Sequence, residues 1–189
     1  MPEPSPELTA AYSYVRTTSS NITSFEATFA KKLSKGKSST FDPRKPKRLT
    51  IYAAKKYPTW QEKYIDLVRE AFDQINLSID DKGLNAKVGK LGEMKKAMPF
   101  VQTLKKRLVV AKEKPDTVFE RKLPFNEFDV LSEMRGILAK TTGAKEIEII
   151  AVDEGGKTGD VLGSGEKREG LQAEAAVPGQ PSCQFANIE

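Results

Sequence analysis

The chain has 189 residues, 38% of them apolar and 30% charged, with a formal charge of +5 at neutral pH. That is room for one ordinary domain or two small ones, with more charge and less apolar content than one uniform core would use. There is no histidine and a single cysteine, Cys183. Their scarcity removes Ser-His-Asp and Cys-His nucleophile systems, histidine metal sites, intrachain disulfides and thiolate clusters. A self-contained enzyme is not expected.

The opening Met1-Pro2-Glu3-Pro4-Ser5-Pro6-Glu7 is acidic and proline-rich. It has neither the charged-then-apolar pattern of a secretion signal nor the Arg/Ser-rich amphipathic pattern of an import signal, and a disordered start over residues 1–8 is expected. The longest aliphatic runs, at residues 108–111 and within 147–152, fall far short of the about 20 residues that span a bilayer. The expectation is a cytoplasmic protein with no membrane partner.

The modest net charge conceals segregation. Residues 31–56 hold ten Lys/Arg against Asp42 alone, and residues 80–114 hold ten against four acids. The tail, residues 153–189, reverses the balance, with three basic side chains against seven acidic ones. A basic block beside near-neutral and acidic segments is the footprint expected of a chain that faces phosphates. The bland alternative is that lysines merely solvate exposed helix faces.

In chain order, apolar residues at Leu8, Tyr12, Val15, Ile22, Phe25, Phe29 and Leu33 recur at intervals near three and four and predict a long amphipathic helix over 8–33. Residues 31–48 have glycine, serines and two prolines without an apolar period and read as an exposed basic loop, followed by a short extended piece over 49–53. Thr59 and Glu62 form a capping-box pattern ahead of a helix whose apolar face runs Trp60, Tyr64, Leu67, Val68, Ala71, Phe72 and Ile75. A connector over 80–92, with a short helix near 84–91, leads to a helix over 93–111 with Pro99 as a kink or a late start. On a regular helical wheel Lys95, Lys96, Lys106 and Arg107 lie opposite its apolar stripe. Residues 117–125 read as a strand, Asn126 as the cap of a helix carrying Phe128, Leu131, Met134 and Leu138, Gly143 as its stop, and 145–152 as a second strand. Residues 153–170 read as disordered, with a short docking strand near the end of the chain.

The fold class expected is therefore α+β: a truncated helical bundle over 9–114, a small βαβ unit over 115–152 and an acidic flexible tail over 153–189.

Four stretches resemble one family in the same order. These are FDPRKPKRLTIYAAKKYPTWQEKYIDLVREAFD (41–73), LGEMKKAMPFVQTLKKRL (91–108), TVFERKLPFNEFDVLSE (117–133) and AEAAVPGQPSCQFANI (173–188). They are similar to the C-terminal region of eukaryotic cytosolic leucyl-tRNA synthetases, the fungal form above all. The resemblance implies that the helical bundle is of the anticodon-binding type, and that the chain is a fragment or shortened gene product of a class I aminoacyl-tRNA synthetase. That family's HIGH signature requires histidine, so no ATP site is expected here. Lys31-Lys32-Leu33-Ser34-Lys35 only mimics the second signature, which in the family lies upstream of the helical domain. No cofactor is expected in this chain, since ATP and leucine would bind the family's catalytic domain, and the chain alone is expected to be inactive.

The partner implied is leucine tRNA, gripped on its outer body, together with the remaining synthetase domains. Candidate phosphate contacts are Lys31, Lys32, Lys35, Lys37, Arg44, Lys45, Lys47 and Arg48 on the loop, with Lys95, Lys96, Lys106 and Arg107 on the helix. Phe41 is the one loop aromatic able to stack a base, so little sequence readout is expected. The alternative is a protein-interaction or nuclear-import module using Pro43-Arg44-Lys45-Pro46-Lys47-Arg48 and the acidic tail.

Overall fold

The computed structural model describes residues 5–189. The elements run α1 (Pro6–Ser34), β1 (Lys47–Ala54), a 3-10 turn (Thr59–Gln61), α2 (Glu62–Ala71), β2 (Phe72–Asp73), β3 (Ser78–Ile79), α3 (Asp81–Lys90), α4 (Met94–Lys105), a π turn (Lys106–Val110), α5 (Pro115–Glu120), α6 (Glu127–Thr142), β4 (Glu146–Val152), β5 (Thr158–Val161), β6 (Lys167–Glu169) and β7 (Ser182–Asn187). The fold is α+β. Its backbone divides into a sheet unit, made of the chain up to Tyr57 and again from Leu123 to Glu189, and a helical unit over Pro58–Lys122.

The sheet unit is organised by one parallel pair. β1 runs beside β4 in register from Arg48 opposite Glu146 to Ala54 opposite Val152. Strand order is β6-β5-β4-β1-β7, with every other pairing antiparallel. A parallel pair needs a long crossover, and the last part of that crossover is α6. Asn126 opens α6 by accepting from Phe128 N (3.1 Å), and Gly143, at φ 66°, ends it in the left-handed conformation. The helical unit is therefore inserted, in sequence, between the first strand of a β-α-β and its helix.

Both faces of the sheet are covered. On one, Leu49, Ile51, Ala53, Ile149 and Phe185 meet Tyr14 and Ile22 of α1 and Leu131, Met134 and Leu138 of α6. On the other, Tyr52, Ala54, Ile150 and Val152 are roofed by Ala173 and Ala176. Burial on both faces is why β4 reads as continuous apolar residues from Ile149 to Val152 rather than alternating.

Several expectations are corrected. Residues 117–125 do not form a strand, because Pro115 at the first helical position starts α5, which ends at Arg121 with φ 53°. The strand that partners β4 across the crossover is β1, so the β-α-β does not lie within 115–152. The tail is not a flexible appendage. It supplies β5, β6 and β7, and its acidic, glycine-rich composition reflects edge strands and tight turns. Gly156 shows this: at φ 67° its Cβ position would fall 2.3 Å from the Ala173 carbonyl carbon, and its own carbonyl accepts from Ala173 N (3.1 Å). β7 is the docking strand, paired with β1 at Phe185 opposite Leu49. α1 belongs to the sheet unit, not to a bundle with the later helices, because its buried positions Tyr14, Thr18 and Ile22 fit the sheet's core. Of the expected disordered start, residues 1–4 lie outside the described residues, and Ser5 is a cap whose hydroxyl accepts from Leu8 N (3.2 Å). The basic loop is shorter than 31–48: α1 continues to Ser34 and β1 begins at Lys47.

In the helical unit, Tyr64, Ile65 and Val68 of α2, Leu84 and Val88 of α3, and Ala97, Val101 and Leu104 of α4 form one core with Leu108, Val118 and Phe119. Asp80 caps α3 by accepting from Gly83 N (3.1 Å). α4 begins at Met94 and carries Pro99 in its interior, so the expected late start is not adopted. Ile75 does not continue the face of α2. The helix ends at Ala71, and Ile75 lies 92% exposed in the loop between β2 and β3, where Asp73 Oδ1 accepts from Ile75 N (2.9 Å).

One polar contact clamps the sheet unit's helices. The Tyr14 hydroxyl donates to Glu127 Oε1 (2.6 Å), and Gly179 N donates to Glu127 Oε2 (2.9 Å). Glu127 is buried, with no cation paired to it among the described residues. Burial pushes its pKa above the ordinary glutamate value, more than the two hydrogen bonds pull it down. A carboxyl whose pKa is raised by folding is bound more tightly to its proton in the native state, so its contribution to stability is present at acid pH and lost as pH rises. Compared with Glu127→Gln, which does not titrate there, the natural chain should gain stability in urea unfolding as pH falls from neutral toward the ordinary glutamate range. A relative loss over that interval would contradict the assignment.

Candidate nucleic-acid interface

The basic residues sort by their partners. Lys31 and Lys32 occupy the last turn of α1, where positive charge complements the helix dipole. They and Lys35 and Lys37, in the turn and loop beyond, are exposed and pair with no carboxylate among the described residues. Lys45 is exposed in the same way, in a turn closed by its N–H donating to Asp42 O (3.1 Å). That turn is anchored to the edge strand: Asn187 Oδ1 accepts from Asp42 N (2.9 Å), and Phe41 is buried in the core.

The other loop cations are engaged. Lys47 is buried, its Nζ paired with Glu26 and donating to Pro43 O (3.0 Å). A charge this deep is a structural tie between α1 and β1, which takes Lys47 out of any solvent-facing phosphate set. Arg44 makes a two-pronged contact with Asp42 (3.0 Å to each oxygen), holding that part-buried carboxyl below the usual aspartate range. Arg48 Nε pairs across the parallel strands with Glu146 (2.7 Å). Both arginine pairs are exposed enough for phosphate to compete with the carboxylate.

In the helical unit Lys95 and Lys106 are exposed without a carboxylate partner among the described residues, and the Lys96 ammonium lies 4.5 Å from the Trp60 ring centroid. Arg107 is held by Glu113, Nη2 to Oε2 at 2.6 Å. Lys106 and Arg107 fall in the π turn, not on α4. A π turn is wider than an α turn, so the regular wheel that set them on one stripe with Lys95 and Lys96 does not carry across it.

Two concavities accompany these cations in the sheet unit. One, of about 280 Å³, is lined by Arg48, Arg135 and Arg168 with Glu146 and Glu148. Its charge is largely compensated internally, Arg48 by Glu146 and Arg168 by Glu148 (3.2 Å). The other, of about 400 Å³, is walled by Phe25, Phe29, Phe41 and Phe185 and has no acidic residue in its lining. Reading from sequence missed it. Phe25 and Phe29 carry the same spacing signal as core residues, and β7 joins them only through the sheet. No cluster of residues suited to a metal ion is found among the described residues, and no helix there is long and apolar enough to cross a membrane.

Comparison with known proteins gives these features a setting. The family model for the leucine–tRNA ligase RagD-binding domain matches residues 53–114, a span close to the helical unit. Cytoplasmic leucine–tRNA ligase of Neurospora crassa is 50% identical over 193 residues, covering all of this chain. A putative cytoplasmic leucine–tRNA ligase of Schizosaccharomyces pombe and the cytoplasmic leucine–tRNA ligase of Saccharomyces cerevisiae are each 37% identical over 186 residues, covering 93% and 95% of the chain. The chain thus corresponds to a stretch of proteins of the aminoacyl-tRNA synthetase class. More narrowly, the chain belongs to the leucine–tRNA ligase family, corresponding to a stretch of those proteins, and it spans 17% of the length of each of these three relatives.

The division between tied and available cations has a measurable consequence. Lys47→Ala should lower the unfolding free energy by about 2 kcal/mol, because it leaves the part-buried Glu26 carboxylate without its partner. Lys37→Ala should change it by no more than about 0.5 kcal/mol. Equal effects in denaturant melts would contradict the division.

Proposed function

We propose that this chain is a tRNA-gripping portion of a cytoplasmic leucine–tRNA ligase, holding leucine tRNA while activation and transfer of leucine occur in other parts of the enzyme. The observation that carries this reading is the run of exposed lysines without carboxylate partners, Lys31, Lys32, Lys35 and Lys37, with Lys45 in the turn beyond. Ammonium groups left without protein counterions are free to displace the cations condensed on RNA. Lys95, Lys96 and Lys106 supply further positive charge on the helical unit, and Arg44 and Arg48 can exchange a carboxylate for a phosphate. The anticodon-binding type suggested by family resemblance belongs to this reading, with the helical unit acting as a shape-fitting body rather than as a reader of anticodon bases.

A second reading concerns the helical unit alone. The match to a RagD-binding domain, together with exposed Ile75 and Leu77 at the β2–β3 loop, favours a protein-docking role for residues 58–122 toward a RagD-like partner. The two readings overlap on the helical unit, whereas the lysines between Lys31 and Lys45 belong to the first alone. Nuclease treatment of a lysate abolishes association through RNA and leaves association through protein intact.

For the first reading, affinity for a leucine tRNA transcript should fall with salt. If about five phosphates are neutralised, log K against log[salt] has a slope of about −4. Replacing Lys31, Lys32, Lys35 and Lys37 by alanine removes four of those contacts and should flatten the slope to about −1. A flat dependence in the natural chain would contradict the reading.

A further inference from the structure

We propose that the aromatic concavity of the sheet unit is a pocket for one unpaired nucleobase of the bound RNA, an inference that rests on the tRNA reading above. Its floor is a series of rings. Phe41 and Phe185 stack with centroids 5.2 Å apart and planes at 23°, and Phe25 follows Phe185 at 6.3 Å and 22°. Phe29 stands edge-on to both Phe25 and Phe41, each at 5.2 Å, fixing the ladder from the side. Phe41 and Phe185 are buried, whereas Phe25 ends the series, lines the concavity and remains 38% exposed. A stack that ends in an exposed ring is a platform for another flat ring, and every base offers a π face.

The rest of the wall is polar in a way an aliphatic ligand would not use. The Tyr52 hydroxyl donates to Gln184 Oε1 (2.9 Å), which leaves the Gln184 amide nitrogen to donate elsewhere. Gln172 and Thr40 add an exposed amide and hydroxyl to the lining, and the Ser182 hydroxyl is buried in it with no hydrogen-bond partner among the described residues. Donors and acceptors beside an aromatic platform are what the edge of an unstacked base requires. The Cys183 thiol, pushed up to about 11 by burial, adds no negative charge at neutral pH. The phosphates flanking such a base meet cations: the Lys32 ammonium lies 5.4 Å from the Phe29 ring centroid, and Lys35 and Lys37 follow along the segment leading to Thr40.

The test uses the full chain, a leucine tRNA transcript, a short oligoadenylate and an abasic ribose-phosphate strand of equal length, read by fluorescence anisotropy. The natural chain should bind oligoadenylate roughly tenfold more tightly than the abasic strand. Phe25→Leu and Gln184→Ala should each erode that ratio with abasic binding unchanged, while Phe25→Trp, which keeps a ring, should preserve it. A ratio near one with the transcript still bound would overturn the pocket and leave the tRNA reading standing. Equal loss of abasic binding in Phe25→Leu would overturn the stacking role. Failure of the natural chain to bind the transcript or either strand would remove the tRNA reading and the pocket with it.

Discussion

The parallel pairing of β1 with β4 is the constraint from which the rest of the architecture follows. Two strands distant in sequence can lie side by side only if the chain between them makes a crossover, and here the crossover carries an entire helical unit before it returns through α6. Closing the sheet then draws on both ends of the chain: α1 covers one face, and the segment from Thr158 to Asn187 supplies the remaining strands and the roof over the other. No single stretch of the sequence holds the whole core of the sheet unit.

The same arrangement decides which cations are available. Where β1 begins, Lys47 and Arg48 face partners that the fold delivers from elsewhere, Glu26 on α1 and Glu146 on β4, and they work as ties within the protein. Between Lys31 and Lys37 the chain leaves α1 before reaching the sheet, so no carboxylate is delivered there. The available cationic surface is thus what remains after folding has used the charges it needs. The basic block of the sequence overstates that surface, and the burial of Lys47 shows by how much a linear count can mislead.

Local features were legible in the sequence where local physics governs them. Asn126 as a cap and Gly143 as a left-handed stop rest on contacts within a few residues, and the long helix through Ile22 and the strand ending at Val152 show in local apolar spacing. What failed depended on partners far along the chain. Residues 117–125 alternate like a strand, yet Pro115 starts a helix, and Phe119 and Phe125 serve different units. The tail looked too polar to fold because half of each edge strand faces water, and its glycines mark turns, not disorder. Among the candidate site residues the lysines could be named from the charge pattern, but which of them folding ties down could not. The ring series needed Phe185 to meet Phe25 and Phe41 across the sheet, and no spacing in the sequence encodes that meeting.

The central claim, that lysines unclaimed by the fold hold a tRNA, is tested most directly by footprinting lysine amines with an acetylating reagent and reading the modified peptides by mass spectrometry, with and without a leucine tRNA transcript. The account predicts that bound tRNA protects Lys31, Lys32, Lys35, Lys37 and Lys45, and that Lys47 resists acetylation in either state because it is buried. Protection spread evenly over all lysines, or absent from the segment between Lys31 and Lys45, would contradict it.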